Sequence, residues 1–389
     1  MPLSELIPSL IDENENFAYF CKFDDLNRIR GTEVLFQSNA DPLMMKTSDE
    51  IGRFFNRIKD LKDGISVPLV VSFDFIEENF RGVKFMKSKW PAVMALLPEK
   101  TTKGTYLRDM NRDRRILTSQ NLEDEKLERI ISGLRDRIRQ GELLQVVISR
   151  DFQLPAFDPV KCLMEFLEFD RSVYVYYYKF GEYQIIGSSP ENLVTMIGNK
   201  LIVDPIAGTA RRGNTIEDDE LLGKKLREDP KELSEHRMLV DLARNDLARI
   251  SLPGSVRVER NMEIGKFGNV QHLVSRVSST AENNDKLNVI RSVFPAGTVS
   301  GSPKRRALEL IGQFEDTPRG AYSGCLGIAG NDGMDLALLI RSVYSSGDGY
   351  YTRSGAGIVN NSVPEREVQE IFTKSLNVME IEKIESFND

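Results

Sequence analysis

Two stretches of the 389-residue chain carry glutamates three apart, Glu232 with Glu235 and Glu367 with Glu370. On a helix, side chains at i and i+3 project from one face. If the two faces met, four carboxylates would converge, and like charges sharing a site repel strongly unless a cation intervenes. Mg2+ suits such a place, because it takes one or two carboxylates directly and keeps water between itself and the others. The chain has 59 Asp and Glu, so pairs at this spacing also arise as ordinary solvated glutamates. Spacing alone leaves both readings open.

Other residues carry weaker chemical signals. Arg341 stands in the apolar run "LALLIRSVY". A guanidinium there binds a ligand's anion, makes an internal salt bridge with a carboxylate, or stands at a strand end. His272, in "VQHLVSRV", is either an acid/base group or a structural imidazole. The Gly-rich "FPAGTVSGSPKRRALELI" (294–311) leads into a helix but lacks the Gly-Lys-Ser/Thr of a nucleotide loop. It is either an anion site of backbone N–H groups or a tight turn. "SGAGI" (354–358) either lets backbone approach a ligand closely or marks a bulge.

The elements that must position these residues follow from periodicity. The spacing predicts helices over 48–62, with Ile51, Phe54, Phe55, Ile58 and Leu61 on one stripe, and over 122–142. Further helices are expected near 217–228, near 230–248 and from Pro364 onward. "VPLVVSFDF" (67–75) reads as a buried strand and "LLQVVISRDF" as another. "SVYVYYYKF" and "EYQIIGSS" read as a half-buried hairpin. "AYSGCLGIAG", "MDLALLIRSVYSS" and "YYTRSGAGIV" read as three successive strands separated by Asn-Asp-Gly and Gly-Asp-Gly turns. Hairpins mixed with helices make an α+β fold with antiparallel sheets. The polar stretch 111–121 is a soft boundary between 1–115 and 116–389.

Composition excludes several classes. The charge balance is 52 − 59 = −7, the wrong sign for nonspecific nucleic-acid binding. No apolar run approaches the roughly 20 residues of a membrane span, and the acidic N-terminus does not read as a signal peptide. Three widely spaced cysteines, Cys21, Cys162 and Cys325, fit no disulfide framework or zinc spacing. A cytoplasmic location is expected.

Taken in order, the strings "GELLQVVISR" (141–150), "GSSPENLV" (187–194), "PIAGTARRG" (205–213) and "DPKELSEHRMLVDLARNDL" (229–247) resemble the chorismate-utilising enzymes. The likeness continues through "GNVQHLVSRV" (268–277), "FPAGTVSGSPKRRALELI", "RGAYSG" (319–324) and "GAGIVNNSVPEREVQEIFTKS" (355–375). It is strongest to the large component of anthranilate synthase and covers about 120–385. The resemblance implies two antiparallel sheets packed as a sandwich, helices outside and the site between them. Residues 1–115 resemble the family's variable N-terminal region only loosely. It implies that Glu235 and Glu370 bind Mg2+ directly, with Glu232 and Glu367 behind them and Lys374 balancing charge. It implies that Arg341 and Tyr322 take a substrate carboxylate with the backbone of Gly355, Ala356 and Gly357, and that Thr209 and Thr298 line the substrate pocket. Glu191 would protonate the departing C4 hydroxyl, and His272 would serve pyruvate elimination.

Two positions separate the relatives. Isochorismate and salicylate synthases carry a Lys at the place of Gln145, where it activates water. Aminodeoxychorismate synthases usually carry a Lys at the place of Ala207, where it attacks C2 itself. Gln145 and Ala207 therefore point to ammonia as nucleophile and anthranilate as product. A noncatalytic homologue would be expected to lose acid or metal residues, and all are present here. No cysteine stands on a nucleophile elbow, so glutamine-derived ammonia is expected from a separate amidotransferase subunit in a hetero-oligomer. The family's tryptophan site has only partial counterparts in Ser38, Ser172 and Tyr174.

Overall fold

The computed structural model describes residues 2–23, 29–108, 124–213, 215–267 and 270–379. The polar connection at 111–121, and the boundary drawn within it, lie outside the described residues.

Two large antiparallel sheets organise the chain. Among the described residues the first has nine strands. Their spatial order is Gly301–Ser302, Gln145–Leu154, Tyr350–Ile358, Ser342–Ser346, Tyr183–Ser189, Tyr174–Phe180, Asn16–Phe23, Arg30–Ser38 and Lys100–Leu107. The second has ten. It runs Ile206–Arg211, Val270–Thr280, Lys200–Val203, Asn192–Ile197, Gly333–Leu338, Cys325–Gly330, Ser66–Val71, Val93–Ala95 and Leu43–Met45, with Arg257–Phe267 also on Val270–Thr280. Strands from before residue 108 enter both sheets, Asn16–Phe23 against Tyr174–Phe180 and Ser66–Val71 against Cys325–Gly330. The strand expected over 67–75 stops at Val71, and Phe73–Phe75 forms a 3-10 turn.

Alternation along the strands decides what each face buries. Tyr174, Tyr176, Tyr178 and Phe180 pack toward Leu326, Ala337 and Leu339 of the other sheet. Val175 and Tyr177, on the opposite face, pack with Cys162, Leu163 and Phe166 of the Pro159–Phe169 helix. The tyrosine-rich hairpin strand is therefore buried on both sides rather than half-buried, because a helix covers its outer face. The Ser48–Lys59 helix does the same for the second sheet, laying Ile51, Phe54, Phe55 and Ile58 over Val67, Leu69 and Ala329.

Two of the places where the chain passes between the sheets are neighbours. Ser189 ends a strand of the first sheet and Asn192 begins one of the second. Leu338 ends a strand of the second and Ser342 begins one of the first. The two crossovers are hydrogen-bonded to each other, Leu338 N–H donating to Glu191 O at 3.0 Å and Ser188 N–H to Arg341 O at 3.2 Å. The run read as one strand, "MDLALLIRSVYSS", is thus two strands on different sheets. Both halves are apolar because each is buried, so hydropathy gives no sign of the break, where Arg341 takes φ +50°.

The Tyr178 hydroxyl donates to Gly327 O at 2.9 Å, one of the bonds that joins sheet to sheet. Tyr178→Phe keeps the ring and removes this bond, so stability should fall by about 1 kcal/mol, the usual net worth of a buried hydrogen bond. Urea denaturation compared with the parent chain measures it, and an unchanged midpoint would show that the bond contributes nothing.

Candidate active site

The first glutamate pair opens a helix. Pro230 suits the first turn of Pro230–Ala248, and the Asp229 side chain caps it by accepting from Lys231 N–H and Glu232 N–H. Buried His236 fastens the helix to the Val270–Thr280 strand through Ser275 Oγ at 2.7 Å. The second pair lies on Pro364–Met379, which buries Val368 and Ile371 in the core shared with the Tyr350–Ile358 and Gln145–Leu154 strands. Burial raises the carboxyls of Glu232, Glu235 and Glu367 above the usual range, and Glu370 raises all three further. The two faces are therefore close enough to act on one another electrostatically. Lys374 stands 2.7 Å from Glu370 Oε1, and Lys231 is 3.8 Å from Glu235 Oε1. Among the described residues, no three His, Cys, Asp or Glu side chains form a ready-made metal cage.

Glu191 occupies the first crossover and is 8% exposed. Burial pushes its carboxyl up to about 8, against the Thr298 hydroxyl and the Arg341 charge, which both lower it. Thr298 Oγ1 donates to Glu191 Oε1 at 3.0 Å. Near neutral pH this group is a carboxylic acid. Arg341, at the other crossover, is half-buried and its guanidinium has no hydrogen bond or ion pair with any described residue. The internal salt bridge left open by the sequence is thus not made, whereas Arg341 does stand at a strand end, immediately before Ser342–Ser346. Such a charge is ready for an anion from outside.

His272 lies on the same side, because the Arg341 charge acts on it as well. Burial first, and Arg341 in addition, bring its imidazole down to about 4, so it is neutral near pH 7. Its Nδ1 is 2.8 Å from Gly208 O. A carbonyl only accepts, so Nδ1 carries the proton and Nε2 the basic lone pair. Gly208 has φ +64°, and a Cβ there would lie 2.9 Å from Glu232 Oε2. This glycine therefore links the histidine to the acidic helix, with Ala207 beside it in the Ile206–Arg211 strand. The Thr209 side chain lies outside the described residues.

The Tyr350–Ile358 strand forms the opposite wall. A Cβ at Gly355 would lie 2.7 Å from Tyr322 Oη, and one at Gly357 would lie 2.6 Å from Gln145 Nε2. Glycine lets the two side chains reach the strand. Lys374 Nζ donates to Gly355 O at 3.1 Å. Ala356 turns the other way, into the hydrophobic core, so it offers the site only backbone. The Gly-rich run 294–311 serves close packing, since Gly301 abuts Gln145 O and Lys304 is buried on Asp246.

Ser38, Ser172 and Tyr174 lie elsewhere. Ser38 pairs with Asn16 at one end of a strand, whereas Tyr174 pairs with Lys22 at the other. Ser172 is bonded to Asp170, and the Tyr174 hydroxyl donates to Asp335 Oδ1 at 2.8 Å. The sequence reading missed the buried Arg319 and Arg353 and the Glu315 carboxylate buried between them, behind Tyr322. Arg319 stands in the quoted "RGAYSG", but periodicity does not reveal which polar residues of a loop are buried.

Known proteins resemble the chain in sequence and fold. Residues 79–380 match the chorismate binding enzyme family. The chain belongs to that family. This chorismate-binding enzyme is 36% identical over 375 residues to anthranilate synthase component 1 of Methanothermobacter marburgensis, covering 94% of this chain and 79% of that protein. It is 42% identical over 264 residues to the component 1 of Aquifex aeolicus, covering 67% of this chain and 53% of that protein. The structure of anthranilate synthase component I from Streptococcus pneumoniae superposes with a TM-score of 0.72 at 28% identity, over 94% of this chain and 92% of that one. The menaquinone-specific isochorismate synthase of Escherichia coli shares the fold, with a TM-score of 0.74 at 20% identity over 94% and 88% of the chains. No helix among the described residues is long and apolar enough to cross a membrane.

The buried acid makes the stability of this chorismate-binding enzyme depend on pH. Glu191 has its ordinary value of 4.5 when unfolded and is raised to about 8 when folded. Its contribution is fully present below 4.5 and is lost as pH rises toward 8, because the unfolded carboxyl gives up its proton first. Relative to Glu191→Gln, the parent chain should lose stability progressively between pH 5 and pH 8 and then level off. Urea titrations of both proteins across this range test it, and parallel stability curves would contradict the raised value.

Proposed function

We propose that this chain is the large component of an anthranilate synthase, converting chorismate and ammonia to anthranilate and pyruvate in the first step of tryptophan biosynthesis. The observation that carries the reading is the meeting of an acid, a neutral base and an unpaired guanidinium at Glu191, His272 and Arg341. Chorismate has carboxylates to anchor and a C4 hydroxyl that leaves only when protonated. Ammonia attacks C2, the C4–O bond breaks, and Glu191 gives its proton so that water departs. His272 Nε2 then takes the C2 proton as the C3–O bond to the enolpyruvyl group breaks, which leaves the aromatic ring, and the departing enolate takes up a proton at its methylene carbon to become pyruvate. Arg341 and Tyr322 hold the enolpyruvyl carboxylate against the Gly355–Gly357 backbone.

The choice of nucleophile rests on Gln145 and Ala207, neither of which is a base or an amine. Gln145 Oε1 is buried and has no hydrogen-bond partner. An amide oxygen in this state accepts from an N–H of ammonia and cannot take the proton that attack by water must release. All three cysteines are buried, and burial pushes the Cys325 thiol well up, so none suits a glutaminase nucleophile. The reading therefore includes an amidotransferase subunit as the source of ammonia and a hetero-oligomer in the cytoplasm.

Mg2+ fits the acidic faces. Carboxyls that raise one another's affinity for protons hold an excess of negative charge, and Lys374 and Lys231 offset only part of it. Glu235 and Glu370 would hold the ion, with Glu232 and Glu367 reaching it through water. When bound, it supplies a positive charge for the ring carboxylate of chorismate. Glu370→Gln should weaken Mg2+ binding by calorimetry and lower turnover about a hundredfold or more. Parent-like values for both would remove Glu370 from the site.

Purified chain with chorismate, Mg2+ and ammonium should form anthranilate, identified by fluorescence and mass, and little isochorismate when ammonium is left out. Gln145→Lys should gain some isochorismate or salicylate formation if desolvation lowers the new amine's pKa. Aminodeoxychorismate or isochorismate as the main product of the parent chain with ammonium present would defeat the anthranilate reading and leave the family unchanged.

A further inference from the structure

We propose that Arg319 is a positioning residue for this site, holding Thr298 against Glu191 and Tyr322 against Gly355 from behind. The inference rests on the roles given above to Glu191 and Tyr322.

Arg319 is 2% exposed and uses all five of its N–H groups. Nη1 donates to Val299 O at 2.7 Å and to Ser323 Oγ at 2.9 Å. Nη2 donates to Val147 O at 2.7 Å and to Glu315 Oε1 at 2.7 Å. Nε donates to Glu315 Oε2 at 2.9 Å. Each anchor adjoins a residue of the site. Val299 follows Thr298, Ser323 follows Tyr322, and Val147 pairs with Gly357. One rigid planar group thus sets three separate segments at fixed distances. The guanidinium carbon also lies 5.6 Å from the Tyr322 ring centre.

Glu315 holds the fork in place. Burial alone would raise its carboxyl, but the Arg319 and Arg353 guanidiniums keep it below the usual range. It also accepts from Ser149 N–H and Oγ at 2.9 and 2.7 Å, and Ser149 pairs with Gly355. Arg353 supplies the control. It donates to the same carboxylate at 2.9 Å, but its other bonds go to Ser149, Thr317 and Pro318, never to Val299 or Ser323. If Arg319 only neutralised Glu315, lysine at either position would have the same effect.

The test reads the Glu191 carboxyl directly, by difference infrared titration with Glu191→Gln as the blank, and measures anthranilate formation separately. The charged groups facing Glu191 are Arg341 and Asp204, which these variants leave in place. Thr298 donates to the ionised carboxylate and lowers its midpoint. Arg319→Lys keeps the charge but cannot reach Val299, Val147 and Ser323 together, so the Glu191 midpoint should rise by about one pH unit, the scale of one hydrogen bond to a charged group. Thr298→Val should give the same rise, the double variant no further rise, and Arg353→Lys none. Ser323→Gly covers the case in which Arg319→Lys does not fold. Its backbone, at φ +66°, suits glycine, and loss of the hydroxyl that orients Nη1 should move the midpoint in the same direction. A parent midpoint in folded Arg319→Lys, or in Ser323→Gly where the lysine variant does not fold, overturns the proposal. So do fully additive shifts from Arg319→Lys and Thr298→Val. If the midpoints move as stated but the parent chain makes no anthranilate, the functional reading fails and the positioning role stands.

Discussion

The crossovers at Glu191 and Arg341 set the constraint from which the site follows. A chain that leaves one sheet for the other takes its backbone out of both ladders, and buried N–H and C=O groups must find partners. Here each crossover satisfies the other, through Leu338 N–H to Glu191 O and Ser188 N–H to Arg341 O. That mutual pairing brings a carboxyl and a guanidinium into one another's field at the boundary between two tightly packed sheets. It also demands a left-handed backbone at Arg341, which costs a non-glycine residue about 1 kcal/mol or more. Burial then sets the protonation states. It keeps a proton on Glu191 and keeps one off His272, so acid and base coexist at the same pH.

The site divides by charge. On the helix side, four glutamates crowd one another with two lysines nearby. On the crossover side stands an arginine that no described carboxylate answers. On the reading proposed above, a dianionic substrate would suit this division, with one carboxylate on Arg341 and the other on a cation held by the glutamates. Lys374 spans the two halves, touching Glu370 Oε1 and Gly355 O from the same ammonium group. Gly208 joins them on the other wall, between His272 and Glu232.

The parts of the fold carried by local pattern were legible. The Ser48–Lys59, Glu125–Arg139 and Pro230–Ala248 helices follow from apolar periodicity and end signals, and the hairpin strands from alternation and turn residues. The candidate site residues were drawn from ordered motifs, since spacing alone left the glutamate pairs ambiguous. Where pattern failed, the cause was tertiary. An apolar run reads the same whether it is one strand or two halves buried in different sheets, so the break before Arg341 left no trace. In the Tyr174–Phe180 strand, residue type does not distinguish the two faces either. Tyr177 faces a helix while Tyr176 and Tyr178 face the other sheet, and only the covering elements tell them apart. Buried polar groups such as Glu315 and Arg319 look like surface residues until their partners, distant in the chain, are known.

On the anthranilate reading proposed above, Gln145 is a neutral residue that would decide the chemistry. Its Nε2 lies against Gly357, where any side chain would collide with it, and its Oε1 is buried without a partner. A buried acceptor left unpaired costs roughly 1–3 kcal/mol, a penalty that disappears when a donor arrives. Ammonia brings such a donor and is already a nucleophile. Water brings one too, but its attack releases a proton that an amide cannot accept. A lysine at this place would reverse both properties, removing the acceptor and supplying, once desolvated, a base. Discrimination between two small nucleophiles then needs no shape selection, which neither molecule is large enough to support. On that reading it would follow from withholding a base where the proton would have to go.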